Sequence, residues 1–185
     1  MRRPLPRLLS SDDLPEPELR AAVLDGELYA VGDRFSSVAD VDDAWARAHS
    51  VMSTAGSRTI AARRTAAWIW GGCAEAPRTL ECVVSSTSRG GGPPAGARVS
   101  EVQIDVDEVV RLPGDVLVTS PARTVLDLLR GLDWSPTTER LALAVLVEHA
   151  VDAREVLRLS RRRPAAPGRA HASVRLAALV DPVPC

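Results

Sequence analysis

The sequence predicts an α+β fold in which a small helix-and-hairpin segment precedes an α/β domain with a small sheet and C-terminal helices. Three observations predict it. Of the 185 residues, 45% are hydrophobic, enough for the core of one ordinary domain, or of one with a small appendage. Between positions 80 and 120 the apolar spacing has the period of two that marks strands. From Thr119 onward it turns helical, with capping residues ahead of the runs.

The N-terminal elements are short. Leu5–Ser10 reads as a helix and Leu14–Pro17 as a turn. A second helix runs through ELRAAVLDGEL, with Leu19, Ala22, Val23 and Leu28 on one face and Asp25-Gly26 as its stop. LYAVGDRFSSV follows as a hairpin turning at Gly32-Asp33. Two short helices and a hairpin are the minimal outline of a winged helix, so residues 1–40 are assigned as a winged-helix-like segment and 41–185 as the α/β domain.

Within the second part, DVDDAWARAHSVMSTA is helical and opens on aspartates suited to the positive end of the helix dipole. ARRTAAWIWGG is a short helix ending at Gly71-Gly72. Trp68 and Trp70 stand two apart, so one is expected buried and the other half exposed. The strands are LECVVSST, ARVSEVQI, EVVRL and DVLVTS, the last two joined by Pro113-Gly114 into a small antiparallel or mixed sheet. The tract STSRGGGPPAGA is a connector; its three glycines lack the Gly-Lys-Ser ending and following helix of a phosphate loop. Four helices complete the chain: one from Thr119 to Arg130, TTERLALAVLVEHAV, DAREVLRLSRRR and RAHASVRLAALV. Ser135 or Thr137 caps the longest.

Composition excludes several classes. No apolar run reaches the ~20 residues of a membrane helix, and the first 18 residues turn acidic before a signal-peptide core develops, so no membrane partner and a cytoplasmic location are expected. The three cysteines, Cys73, Cys82 and Cys185, lack metal-type pairing. His49, His149 and His171 are scattered and build no triad. All 23 basic residues are arginine. The formal net charge of −1 gives no global attraction to nucleic acid. Residues 1–50 hold six Arg against ten acids, and residues 131–185 eight Arg against six, so a nucleic-acid surface is more plausible late in the chain.

Hydrolytic chemistry would need clustered carboxylates. Asp105, Asp107 and Glu108 in QIDVDEVV are the best candidates, and three acids near a turn are most often simply solvated. No catalytic residue, metal or cofactor is therefore expected. Two basic clusters remain: Arg63 with Arg64, and Arg161, Arg162 and Arg163. The triple cluster ends a helix, where cations suit the dipole without any partner; a nucleic-acid or acidic-protein contact is the alternative.

TSPARTVLDLLR carries the strongest local signal. Ser120 caps, Pro121 suits the first helical position, and Ala122, Val125, Leu126 and Leu129 share a face. Arg123 lies in the first turn, where the dipole disfavours a cation by about 0.3–1 kcal/mol. Asp127 at i+4 and Arg130 three beyond it complete a possible ladder, worth only about 0.3–0.5 kcal/mol as an isolated pair. Arg123 is thus expected to be partly buried and to bond backbone carbonyls of a neighbouring segment, bracing sheet against helices.

RTAAWIWG, ECVVSS and LPGDVLVTSPARTVLDLL together resemble actinobacterial proteins related to the AbiEi antitoxins of type IV toxin–antitoxin systems, in order over roughly residues 14–181. The resemblance implies an N-terminal winged helix that binds promoter DNA, and an α/β domain that contributes to DNA binding and to neutralising a nucleotidyltransferase toxin. The chain stops before the restriction-endonuclease-like region of many relatives, so the resemblance argues against nuclease activity. It also departs from the relatives, whose recognition helix and wing are rich in Arg: here Arg20 and Arg34 stand among Glu18, Asp25, Glu27 and Asp33. An antitoxin-like regulator would touch DNA through Arg20, Arg34, Arg63, Arg64, Arg161, Arg162 and Arg163. The alternative is a protein-interaction module or orphan remnant without DNA binding; a nuclease-related enzyme ranks below both.

Overall fold

Leu8 and Leu9 form a strand, β1 (Leu8–Leu9), where a helix was expected; they pair antiparallel with Ser36 and Phe35. Pro6 removes a donor, and so short a helix carries the full nucleation cost, so pairing with a strand already in place wins. The computed structural model describes residues 6–53, 55–56, 58–85 and 94–180. Leu5, Cys185, the glycine run of the connector and the closing Asp181-Pro182 of the resemblance lie outside the described residues.

Helix α1 (Glu16–Leu24) starts with Pro17 and two glutamates in its first turn and buries Leu19 completely. Leu28 belongs not to its face but to β2 (Leu28–Val31), which pairs with β3 (Arg34–Ser37). The order β1-β3-β2 makes a three-stranded antiparallel sheet. Gly32 turns the hairpin at φ +54°, and a Cβ there would run into Ser50 of the next helix. That helix, α2 (Ala44–Met52), is capped by Asp43, whose Oδ1 accepts from the Ala46 N–H at 2.8 Å. It lies against β2 on one side and against α3 (Arg63–Ile69) and β8 (Val116–Thr119) on the other.

The second sheet has the order β6-β5-β4-β8-β7 and is mixed. Its members are β4 (Ile60–Ala61), β5 (Glu81–Ser85), β6 (Arg98–Val102), β7 (Val109–Leu112) and β8. Pairings β4/β8 and β5/β6 are parallel; β4/β5 and β7/β8 are antiparallel. β4 was not expected, since two residues are too short to show a period, yet it is central and both residues are buried.

Helices α4 (Pro121–Arg130), α5 (Pro136–Glu148), α6 (Ala153–Arg162) and α7 (Arg169–Val180) follow. Ser135 caps α5, accepting from the Thr138 N–H at 3.2 Å. α4 is the hub, touching α3, α5, α6 and α7 and burying Val125, Leu126, Leu128 and Leu129, each worth about 1.5–3 kcal/mol. One apolar cluster runs from Val31 of the hairpin through α4 to Leu176 of α7. Trp68 and Trp70 are both buried, correcting the expectation of one half-exposed ring. α3 ends at Ile69, so Trp70 leaves the helical geometry and its indole N–H donates to the Thr119 carbonyl at 2.8 Å. Among the described residues no helix is long and apolar enough to cross a membrane.

Candidate functional site

β8 delivers Thr119 and Ser120 to the start of α4, where the Ser120 hydroxyl accepts from the Arg123 N–H at 3.3 Å and Pro121 takes the first helical position. Thr119 and Thr124 share a buried hydroxyl contact at 2.7 Å that fixes the strand-to-helix corner. This places Arg123 inside, 4% exposed. Its Nε donates to Asp127 Oδ1 at 2.8 Å, one turn along α4. Its second partner is not a backbone carbonyl: Nη1 stands 3.2 Å from Glu108 Oε2, an ion pair without hydrogen-bond alignment. Arg130 does not close the ladder onto Asp127. It reaches to the carbonyl and hydroxyl of Ser160 in α6 at 3.4 and 3.5 Å, and its Nε is buried without a hydrogen-bond partner.

Glu108 is the centre of the network and has no exposed surface. Arg163 Nη1 donates to Oε1 at 2.8 Å, its Nη2 forms an ion pair with Oε2 at 2.8 Å, and the Asp105 N–H donates to Oε2 at 2.8 Å. Asp105 and Glu108 form a reciprocal capping box around a 3₁₀ turn at Val106–Glu108. The Ser120 N–H then donates to the Glu108 carbonyl at 2.8 Å, tying that turn to the start of α4. Asp107 is held by Arg162 at 2.6 Å, and Asp105 by Arg162 and Arg163 at 3.3 and 2.9 Å. The acids read as solvated are thus partnered by arginines, Glu108 in the interior and the other two at the surface. No grouping of metal-ligating side chains occurs among the described residues.

The electrostatics follow from this packing. Burial pushes Glu108 up, but the Arg163 hydrogen bond, the Asp105 N–H and the charges of Arg123 and Arg163 outweigh it and hold the carboxyl below its usual value. Asp107 is lowered chiefly by its hydrogen bond from Arg162. Burial raises Asp127 against the pull of Arg123, Arg63 and Arg130. Burial likewise lowers Arg130, only partly offset by Asp127.

Beside the network opens a cleft of about 940 Å³. Arg63, Arg98, Arg123, Arg130, Arg162 and Arg163 line it, with Leu132 and the Pro164–Pro167 loop as apolar wall. Arg63 sits at φ +50°, a left-handed conformation costing a non-glycine residue about 1–2 kcal/mol.

The other arginines singled out in the sequence lie apart. Arg20 is exposed on α1 and pairs with Glu16 at 2.7 Å. Arg34, on the hairpin, reaches among the described residues only the Ser53 hydroxyl, at 3.5 Å. Arg64 crosses to Asp133 at 2.6 Å. Arg161 is exposed. The structure therefore brings Arg63, Arg123, Arg162 and Arg163 together and leaves Arg20 and Arg34 outside the cleft. Sequence reasoning missed Arg98 and the role of Glu108. The Asp105–Glu108 spacing is the capping-box signature and was the available signal.

His49, His149, Cys73 and Cys82 pack within the fold. His149 Nε2 contacts the Trp70 carbonyl at 2.8 Å, His49 stacks on Trp45 at 4.4 Å, and His171 is exposed. Burial, then Glu81, pushes the Cys82 thiol up to about 11, and burial also raises Cys73, so neither favours a thiolate. Compared with protein-family models and with curated protein sequences, the chain matches none.

Proposed function

We propose that this chain is a non-enzymatic binding protein of the AbiEi-like antitoxin type, and that it works by neutralising a nucleotidyltransferase-type toxin more than by reading promoter DNA. One observation carries the reading: most arginines that would meet DNA phosphates are engaged by the protein's own carboxylates. Arg20 is held by Glu16, Arg64 by Asp133, and Arg162 and Arg163 by Asp105, Asp107 and Glu108. A phosphate contact would have to break those pairs before releasing any counterions. We read β1, α1 and the β2–β3 hairpin as a reduced winged helix whose helix presents Glu16 and Glu18, with Asp25 beyond, beside a single arginine. The toxin assignment comes from the resemblance of LPGDVLVTSPARTVLDLL. Leu143 and Val147, exposed one turn apart on α5, add an apolar strip suited to a protein partner.

The test is co-expression with a nucleotidyltransferase encoded beside it. Relief of growth arrest supports the reading, and no relief at matched expression overturns it. A promoter-binding reading has one observation in its favour, the weak hold on the hairpin's Arg34. A gel shift that weakens with salt and is lost in Arg34→Ala would make DNA the partner instead.

A further inference from the structure

Arg63, Arg98 and Arg130 all line the 940 Å³ cleft, and none is within ion-pair distance of a carboxylate among the described residues. Arg98 makes no side-chain hydrogen bond there, and Arg130 has only its two long contacts to Ser160. Arg123 also lines the cleft; it is 4% exposed, and its Nη1 makes no hydrogen bond. Arg130 Nε is buried without an acceptor, which is costly, and Arg63 and Arg98 are exposed at the cleft with no carboxylate among the described residues to hold them, so a ligand oxygen would find free donors there.

We infer that this cleft binds a small phosphorylated molecule, with Arg63, Arg98 and Arg130 around the phosphate and Leu132 and the Pro164–Pro167 loop against its apolar body. Six arginines against the acids Glu81, Glu101, Asp127 and Asp133 leave the lining net positive by two, which suits a phosphate monoester, carrying about −1.5 to −2, better than the single charge of a carboxylate. The volume lies within the roughly 300–1,000 Å³ typical of small-molecule sites. Leu132, 92% exposed, offers apolar surface at the rim. A polymer is disfavoured because Glu101 and Asp133 also line the cleft and would oppose a continuous row of phosphates. The inference does not rest on the toxin reading.

Titration calorimetry of the full chain with pyrophosphate, AMP and a short DNA duplex tests it. Saturable one-site binding of pyrophosphate and AMP is expected. Arg98→Gln, an exposed side chain, should weaken both about tenfold, the loss of one charge-assisted contact. Its ligand-free unfolding temperature should not change, and Arg154→Gln on the outer face of α6 should bind normally. No saturable binding of pyrophosphate and AMP at millimolar concentration overturns the inference. So does binding that Arg98→Gln leaves intact, or binding of the duplex alone.

Discussion

Arg163 holds both carboxylate oxygens of Glu108, its Nη1 2.8 Å from Oε1 and its Nη2 2.8 Å from Oε2, across 55 residues of sequence. The pair clamps the end of α6 onto the 3₁₀ turn ahead of β7, and the same carboxylate faces Arg123 of α4. Glu108→Gln keeps the shape and removes the charge, leaving the buried Arg123 and the partly buried Arg163 short of an anion. A loss of about 3–5 kcal/mol is expected. For a chain of this length that lowers the thermal midpoint by about 6–20 °C. In a double-mutant cycle, Glu108→Gln with Arg163→Gln should cost less than the two changes added. Additive losses would show that the clamp is not formed.

Arg123→Ala and Arg162→Ala separate buried from surface pairing. Arg123 and its partners Glu108 and Asp127 are at most a tenth exposed, so its removal strands Asp127, takes one of the two arginines from Glu108, and should cost about 3–5 kcal/mol. Arg162 meets Asp105 and Asp107, both about half exposed, and its removal should hardly move the midpoint. Thermal denaturation of the two variants checks the order; equal losses would refute it.

Acid sensitivity follows from the same residues. Glu108, Asp107 and Asp42, the last through hydrogen bonds from Arg47 at 2.8 and 2.7 Å, have lowered folded-state values, so each adds stability above its unfolded value that disappears as pH falls through the folded one. Asp127 is raised, so its contribution runs the other way and favours the folded state as pH falls. With three groups against one, stability should drop below about pH 4.3, the ordinary carboxylate range. Chemical denaturation as a function of pH measures this. Glu108→Gln should flatten the acid limb, and an unchanged limb would remove Glu108 from the account.

Periodicity and capping made most of this fold legible. Asp43, Ser120 and Ser135 each cap the helix they precede, and Val125, Leu126 and Leu129 are buried as their spacing required. β1 and β4 escaped because a two-residue strand has no period and exists only through its long-range partners. The internal half of the site was partly legible, since the i, i+4 spacing of Arg123 and Asp127 announced their pair. The pairing of Arg162 and Arg163 with acids some 55 residues away was not, because nothing local distinguishes a solvated arginine from one folded back onto a distant carboxylate.

Trp70 joins the end of α3 to β8 by its indole N–H, which reaches the Thr119 carbonyl, while its ring meets His149 edge-on at 5.3 Å. Trp70→Phe keeps an aromatic ring and loses the donor. About 1–3 kcal/mol should be lost, the cost of a buried carbonyl left unpaired. Thr119 Oγ1 and Thr124 sit beside that carbonyl, and the Thr124 hydroxyl already donates to it at 3.1 Å, so the loss should fall near the lower limit. A midpoint above wild type would show that the indole contact contributes nothing.

Gly168 opens α7 at φ +73°, and a Cβ there would press on the Arg130 carbonyl at the end of α4. Two penalties then act together in Gly168→Ala, the left-handed backbone at about 1–2 kcal/mol and the displacement of main chain that no side-chain rotation can relieve. The thermal midpoint should fall by several degrees with helix content unchanged by circular dichroism. Because Pro164–Pro167 directly precede this glycine and wall the cleft, the same change should also weaken pyrophosphate binding. An alanine tolerated at full stability would mean that the α6–α7 loop does not pack against α4 as described.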